Sequence, residues 1–308
     1  MKVSIIGATS QIAKDLVLSF SASKHFSFVL FARNVALLNQ WIVDKGLGNN
    51  CQTRGYSEFG TSEVFDVIIN FVGVGDPKKA AKLGHDIFEI TEKYDKMAVD
   101  YIKCHQSTRY IFLSSGAIYG GNYQKPVCER SIAKININSL KAVDYYSLAK
   151  LYAEIRHRQL PDLPIIDIRV FNYFSHRQDM SARFFITDAM RAIKNKEIFK
   201  TSSENIVRDY VTPIDFFGLV QSVLNYDLTN MALDCYTQSP VSKFDLLVEL
   251  KRHFGLEYEI DESIKIINAT GAKLNYYSHN RIAEKIGYKA KHSSMSGVIQ
   301  EAYLVIDI

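Results

Sequence analysis

Residues 1–171 alternate short, continuous apolar segments with longer segments of helical spacing, and this alternation constrains the fold more than any other feature. Uninterrupted apolar runs are typical of strands that are buried on both faces of a sheet. The sequence therefore predicts an α/β fold in which helices cover both faces of a doubly wound parallel sheet. The predicted strands are Lys2–Ile6, Phe26–Ala32, Asp66–Val72, Tyr110–Leu113 and Ile165–Phe171, and the predicted helices are Gln11–Phe20, Ile87–Ile102 and Ala142–Leu160.

The alternation becomes less regular after Asn172, although helical spacing continues. No low-complexity linker and no internal repeat separates the two parts of the chain. We therefore predict one domain over residues 1–172, to which residues 209–238 return, and a smaller C-terminal α/β lobe over residues 173–308. The helices predicted in the second part are Met180–Asn195, Asp215–Leu224, Lys243–Phe254 and Ser278–Ile286, the last of which ends at the stop signal Gly287.

Composition and charge exclude several classes of protein. With 47% hydrophobic and 23% charged residues, the chain resembles soluble globular proteins. Its net charge of +4 is too small to indicate nucleic-acid binding and is compatible with an anionic small molecule. No apolar run approaches the roughly 20 residues of a membrane span, and no signal peptide is evident. We therefore expect a cytoplasmic protein without a membrane partner. The four dispersed cysteines are expected to be free thiols, with no metal site.

The segment Gly7–Ala13 follows the first strand and opens the first helix. In a Rossmann-type turn, glycines allow the backbone to approach a pyrophosphate, and the positive end of the helix meets the phosphates. Ser10 stands at the second glycine position of that pattern and Ala13 at the third. An ordinary strand-turn-helix is equally compatible with this segment. If it binds a dinucleotide, the candidate residues are Gly7, Thr9, Ser10, Gln11 and Ile12.

Arg33 follows the second predicted strand. A carboxylate at this position would bond the adenosine 2′-hydroxyl of NAD, whereas an arginine can pair with the 2′-phosphate of NADP. The position therefore favours NADP(H), with NAD(H) possible. The alternative is that Arg33 belongs to a solvated loop.

Two further segments carry candidate catalytic groups. Tyr146 and Lys150 are spaced i, i+4 and lie on one face of a predicted helix, where an ammonium group is expected to lower the pKa of the phenol. Ser114 and Ser115 follow a predicted strand, at the sheet edge where ligands bind in open α/β folds. Tyrosines are also ordinary packing residues, so neither segment is specific alone. Together with the loop at Gly7 they predict an oxidoreductase site.

In these motifs the chain resembles the extended short-chain dehydrogenase/reductases, the nucleotide-sugar epimerase/dehydratase group. The resemblance covers the phosphate loop, IINFVGVG, LSSGAIYG, YSLAK, IRVFNYF and RDYV. It implies a nucleoside-diphosphate sugar substrate, NAD(P) as cofactor and a homodimer formed partly by the Tyr146 helix. It also implies site residues beyond those already named. Catalysis is assigned to Ser115, Tyr146 and Lys150; further cofactor contacts to Phe71, Val72, Gly73, Ser114, Tyr146, Lys150 and Phe171; and substrate contacts to Ser115, Tyr119, Tyr146, Asn172 and Arg208.

The chain departs from the family pattern in three places. The phosphate loop lacks two glycines, and the acidic residue near adenine is replaced in the segment Tyr56–Phe59. The arginine expected in the C-terminal lobe is not evident around Asn268–Tyr277. Lys273 is a substitute there, although its point charge does not reproduce the guanidinium fork.

The residues after Ser115 limit the reaction. Family dehydratases have an Asp-Glu pair there, but this chain has Gly116 and Ala117, which disfavours dehydration and decarboxylation. Two reactions remain, namely NADPH-dependent reduction of a 4-keto sugar and NAD-dependent C4 epimerisation, and Arg33 favours reduction. In that reaction Tyr146 donates the proton to the C4 oxygen. Lys150 lowers the pKa of the Tyr146 phenol and holds the nicotinamide ribose. A non-catalytic dinucleotide-binding regulatory protein is the third alternative.

Overall fold

A computed structural model describes residues 1–61, 63–73, 83–84, 86–121, 123–264 and 273–306. Its central element is a seven-stranded sheet in the order β11-β6-β5-β4-β1-β2-β3, and every neighbouring pair is parallel. The fold is therefore of the predicted Rossmann type. The strands of this sheet are β1 (Lys2–Ile6), β2 (Ser27–Phe31), β3 (Cys51–Arg54), β4 (Val67–Asn70), β5 (Arg109–Ser115), β6 (Ile165–Val170) and β11 (Met231–Asp234).

The five strands predicted from apolar runs all lie in this sheet. Their continuous apolar sequences are explained by burial between helices on both faces of the sheet. The strand β4, for example, is buried at all four positions. The prediction missed β3 and β11, which form the two edges of the sheet. The edge strand β3 has the polar sequence CQTR and is buried at only one position, so it lacks the continuous apolar signal.

Eight α-helices lie within the described ranges, and they surround the sheet and build the C-terminal part. They are α1 (Gln11–Phe20), α2 (Val35–Asp44), α3 (Asp86–Cys104), α4 (Ala142–Arg158), α5 (Phe185–Asn195), α6 (Pro213–Asn225), α7 (Lys243–Phe254) and α8 (Ser294–Ile306). The predicted bounds of α1 and α7 are confirmed. The helix α2 was not predicted, although Asn34 caps it by accepting a hydrogen bond from the Leu37 amide. None of these helices is long and apolar enough to cross a membrane.

The prediction of a last helix over Ser278–Ile286 is wrong in extent. Only Ile282–Ile286 is helical, as a 3₁₀ turn, and it ends at Gly287 in the left-handed conformation. The last helix is instead α8, which packs its buried face on α5 and α7. Helix α8 was not predicted because its sequence begins with small polar residues, which are also typical of loops.

Short strands complete the C-terminal part. The three-stranded sheet β12-β9-β14 joins β9 (Val207–Arg208), β12 (Val241–Ser242) and β14 (Asn275–Tyr276). Two smaller pairs are β10-β7 and β13-β8, formed by β7 (Asn172–Tyr173), β8 (Phe199–Thr201), β10 (Tyr210–Val211) and β13 (Tyr258–Ile260). A separate apolar cluster that includes Phe174, Met190, Leu247 and Val298 forms a core for this part. The division of the chain at residue 172 stays a prediction.

Candidate active site

The loop after β1 turns at Gly7, which has a φ of +78°. A Cβ atom at this position would lie 2.9 Å from the Val72 amide nitrogen, so both the backbone conformation and the close approach to the end of β4 require glycine. The amides of Gly7 and Ala8 donate hydrogen bonds to the Phe31 carbonyl oxygen at the end of β2. The loop is therefore fixed at the carboxyl edge of the sheet.

The N-terminus of α1 follows this loop. Ser10 is the N-cap residue, and its side chain accepts no hydrogen bond from the described amides of the first turn. The Gln11 side chain donates to Asp15 at 3.0 Å, and Ile12 packs against the core, so neither side chain extends over the loop. Thr9 is exposed. The groups that fit a pyrophosphate here are the uncapped backbone amides at the positive end of the helix.

Arg33 is exposed directly after β2, so the residue at this strand end is an arginine and not an acidic residue. Tyr56 lies close to the loop, where the Gly7 backbone acts to lower the pKa of its phenol. Burial raises the pKa of Tyr56 to about 12, and the nearby charge of Arg33 partly opposes the shift. The Tyr56 ring lies 4.4 Å from the Tyr94 ring, centroid to centroid.

Phe71, Val72 and Gly73 follow β4, while Val74 and Gly75 lie outside the described residues. Phe71 is buried in the core. A Cβ atom on Gly73 would lie 3.1 Å from the Lys150 ammonium nitrogen, so the absence of a side chain at position 73 leaves room for the lysine. The residues at the end of β4 and the helix α4 therefore meet at one point.

Lys150 is buried, and its ammonium group is held by main-chain acceptors. The Nζ atom donates to the carbonyl oxygens of Leu113 at 2.7 Å and Val72 at 3.0 Å, and it lies 4.2 Å from the centroid of the Phe112 ring. Burial lowers the pKa of Lys150 to about 8, although the carboxylates of Asp95, Asp167 and Glu154 oppose the shift. The lysine is thereby fixed between β4 and β5.

Ser115 lies at the end of β5, where its Oγ accepts a hydrogen bond from the Ala117 amide at 3.1 Å. Burial raises the pKa of the Tyr146 phenol, and the nearby Ser115 hydroxyl only partly offsets this effect. The expected lowering of this pKa by Lys150 is not seen, and the ammonium group donates instead to main-chain carbonyl oxygens. Ser115 and Lys150 nevertheless lie at the same end of the sheet, with Tyr146 near Ser115.

Ser114 and Tyr119, both predicted site residues, contact a buried charged network instead of open space. The Ser114 hydroxyl donates to Glu154 Oε1 at 2.5 Å, and Glu154 accepts three hydrogen bonds from the Arg169 guanidinium. The Tyr119 hydroxyl donates to Asp234 at 3.1 Å and accepts from Arg169 at 2.8 Å. These bonds tie helix α4, strands β6 and β11 and the loop after β5 together directly behind the candidate catalytic groups.

Phe171 and Asn172 follow β6. The Phe171 ring lies on Gly116 so closely that a Cβ atom there would be 2.3 Å from a ring carbon. The Asn172 amide donates to the carbonyl oxygens of Asp209 and Tyr276, both at 3.3 Å, and so connects the sheet to the C-terminal strands. Phe171 and Asn172 therefore pack against and connect the C-terminal side of the site.

Arg208 and Lys273 are two buried cations on this side, and neither makes an ion pair within the described part of the chain. Arg208 donates to the carbonyl oxygens of Val207 at 2.8 Å and Leu274 at 3.3 Å. The Lys273 ammonium lies 3.9 Å from the centroid of the Tyr276 ring. Burial and the charge of Arg208 lower the pKa of Lys273 to about 7. Residues 265–272, which include half of the segment Asn268–Tyr277, lie outside the described residues.

Comparison with known proteins identifies this arrangement. Residues 3–226 match the model of the NAD dependent epimerase/dehydratase family. The chain belongs to this family. No curated protein matches the sequence. The family match covers the phosphate loop, Ser115, Tyr146, Lys150 and Arg208, so the sites predicted from separate motifs lie within one family domain.

Solved structures share the fold over nearly the whole chain. UDP-glucuronic acid 4-epimerase from Bacillus cereus, in complex with UDP-glucuronic acid and NAD, is 14% identical with a TM-score of 0.80 over 100% of this chain and 99% of its own. UDP-glucose 4-epimerase from Bifidobacterium longum is 16% identical with a TM-score of 0.78, over 99% and 98%. dTDP-glucose 4,6-dehydratase from Bacillus anthracis is 14% identical with a TM-score of 0.79, over 99% and 96%. At these identities the likeness establishes the Rossmann-type fold.

Proposed function

We propose that this family member reduces the 4-keto group of a nucleoside-diphosphate sugar, with NADPH as reductant. The observation that carries the proposal is the meeting of Ser115, Tyr146 and Lys150 at the carboxyl edge of the sheet, beside the Gly7 loop. The uncapped amides at the start of α1 and the glycine at position 7 fit a dinucleotide pyrophosphate. When bound, NADPH supplies the hydride.

Tyr146 is the proton donor in this proposal. Its raised pKa keeps the phenol protonated near neutral pH, which is the form needed to protonate a C4 oxygen as negative charge develops on it. Ser115 donates a hydrogen bond to the same oxygen. Lys150, fixed by the Val72 and Leu113 carbonyl oxygens, contributes a positive charge beside the reacting groups. Epimerisation would instead begin with a phenolate that accepts the proton of a C4 hydroxyl.

Arg208 and Lys273 support a diphosphate substrate. Burying a cation without a counter-ion is costly, and here two lie next to each other on the substrate side. A diphosphate between them would supply the missing negative charge and would restore the charged form of Lys273. Phe171 supports the exclusion of dehydration, because its ring fills the space that a carboxylate side chain at position 116 would need.

The NADPH preference can be tested at Arg33. Replacing Arg33 with Ala removes the guanidinium that we expect to pair with the 2′-phosphate, so the dissociation constant for NADPH should rise by roughly 10- to 100-fold. NADH lacks this phosphate and serves as the matched control ligand, whose affinity should not change. Fluorescence titration of both reduced cofactors measures the ratio. An unchanged NADPH/NADH ratio would show that Arg33 is only a loop residue.

The second candidate function is C4 epimerisation with NAD, and it is favoured by the similarity to the two 4-epimerases over the whole chain. The two functions differ in how the cofactor is held. A reductase should be purified without cofactor or with exchangeable NADPH, and should oxidise NADPH when given a 4-keto-6-deoxy sugar nucleotide. Retention of NAD through purification, together with interconversion of a UDP-sugar and its C4 epimer, would replace the first candidate with the second.

A homodimer is part of the same proposal. Helix α4, which carries Tyr146 and Lys150, also exposes Tyr152 and Ile155 on its outer surface. A second copy could cover these apolar side chains, and measuring the mass of the protein in solution tests this arrangement.

A further inference from the structure

Tyr276 contacts the candidate catalytic serine from the opposite side of the site. It belongs to β14, where it pairs with Arg208 of β9. Its hydroxyl lies 3.4 Å from Ser115 Oγ, and the two residues are 161 positions apart in the chain. The side chain is buried, with its ring against Phe171 and edge-on to Tyr123. Its position is therefore fixed by packing on several sides.

The hydrogen-bonding capacity of Ser115 limits what this contact can be. A serine hydroxyl has one proton to donate and two lone pairs to accept with. One lone pair is occupied by the Ala117 amide at 3.1 Å. The contact with Tyr276 can run in either direction by geometry alone. A second acceptor bond would fill Ser115 Oγ, and its own proton would then have to point elsewhere.

The surroundings of Tyr276 decide the direction. Buried hydroxyl protons need an acceptor, and Ser115 Oγ is the only acceptor of the Tyr276 hydroxyl within the described ranges. If Ser115 donated to Tyr276, the phenolic proton of Tyr276 would be left without a partner. Donation from Tyr276 satisfies both groups. It also leaves the Ser115 proton free to turn toward the nearby phenol of Tyr146, whose pKa the serine hydroxyl lowers.

We propose that Tyr276 is a positioning residue, which donates to Ser115 Oγ and thereby commits the Ser115 proton to Tyr146 or to the substrate oxygen. The inference adds a residue from the C-terminal part of the chain to the proposed site, and its kinetic consequence rests on the proposed function. Because β14 also lies beside the two buried cations, the orientation of Ser115 is linked to the side of the site that would bind the diphosphate.

Neutron diffraction from a crystal of the deuterium-exchanged protein tests the proton arrangement directly, whatever reaction the protein catalyses. We expect deuterium on Tyr276 Oη directed at Ser115 Oγ, and deuterium on Ser115 Oγ directed at Tyr146. Deuterium on Ser115 Oγ directed at Tyr276 would overturn the inference. This measurement needs no substrate, so its result is independent of the proposed reduction.

The kinetic test uses Tyr276→Phe with a 4-keto sugar nucleotide and NADPH. We expect kcat to fall on the order of tenfold with KM nearly unchanged, since one orienting hydrogen bond is lost and the ring remains. In a Ser115→Ala background the same substitution should cause no further loss. Equal losses in both backgrounds would assign Tyr276 a different role. Tyr123→Phe is the control, because its hydroxyl donates to the Gly116 carbonyl oxygen and not to Ser115. Absence of turnover in the unmodified protein would refute the proposed function and leave the neutron result to decide on Tyr276.

Discussion

Replacing Tyr146 with Phe is expected to reduce turnover by about a thousandfold while leaving NADPH binding intact, because a positioned general acid typically contributes 10²–10⁴-fold. The phenol lies near the Ser115 hydroxyl, and its raised pKa keeps the proton available for transfer. Phenylalanine fills the same space but has no proton to donate. Stopped-flow measurement of NADPH oxidation gives the rate, and fluorescence titration gives cofactor affinity.

Tyr145 provides the matched control for this experiment. It is the neighbouring residue on α4, and its ring lies 6.2 Å from that of Phe88, away from the serine. Tyr145→Phe should therefore retain the rate of the unmodified protein. If Tyr146→Phe kept the full rate, another group would have to be the proton donor. If neither the unmodified protein nor the control reduced any sugar nucleotide although both bound NADPH, the regulatory alternative would be favoured.

Local patterns accounted for the parts of the fold and site that could be predicted. Tyr146 and Lys150 are one helical turn apart, and Ser115 ends an apolar strand, so short-range rules were sufficient to find them. The long-range contacts had no such signal. Ser115 and Tyr276 are 161 residues apart, and Tyr119 and Asp234 are 115 apart. Such pairs meet only because the strand order brings distant segments to one sheet edge.

The same limit explains why Lys150 does not show the expected lowering of the Tyr146 pKa. Helical spacing correctly brings its side chain to the face of α4 that carries Tyr146. It does not indicate which acceptors the ammonium group will find. In the structure these are the carbonyl oxygens at the ends of β4 and β5, which were predicted strands but not predicted partners. Glu154 and Arg169 were missed for a similar reason, since charged residues on an amphipathic helix and in a strand usually suggest exposure.

His157 carries the second large effect, which concerns stability. It is fully buried on α4, and its two ring nitrogens lie 2.7 Å from carboxylate oxygens of Asp95 and Asp167. Burial opposes the positive charge, but the two carboxylates prevail and raise the pKa of His157 to about 9. The charged imidazole therefore separates two buried acids and joins α3, α4 and β6.

Replacing His157 with Leu should lower the free energy of unfolding by roughly 3 kcal/mol, the lower end of the range for breaking a buried ion pair. The substitution removes the cation shared by two buried carboxylates, but Asp167 keeps its ion pair with Arg158 and Asp95 keeps a longer one with Arg156. His253→Leu is the control, since that histidine is partly exposed beside Glu249 and an exposed pair contributes at most about 1 kcal/mol. Urea denaturation followed by circular dichroism measures both. Equal, small losses would mean that water or protonation of the acids compensates at the buried site.

The pH dependence distinguishes a charge effect from a packing effect at His157. The folded protein holds this proton up to a pH of about 9, whereas an ordinary histidine in the unfolded chain releases it near 6.5. Its stabilisation is therefore complete below pH 6.5 and is lost as the pH rises to 9. The difference between the unmodified protein and His157→Leu should shrink over this range. A difference that stays constant would assign the whole effect to packing. It would contradict the inference that a charged imidazole lies between Asp95 and Asp167.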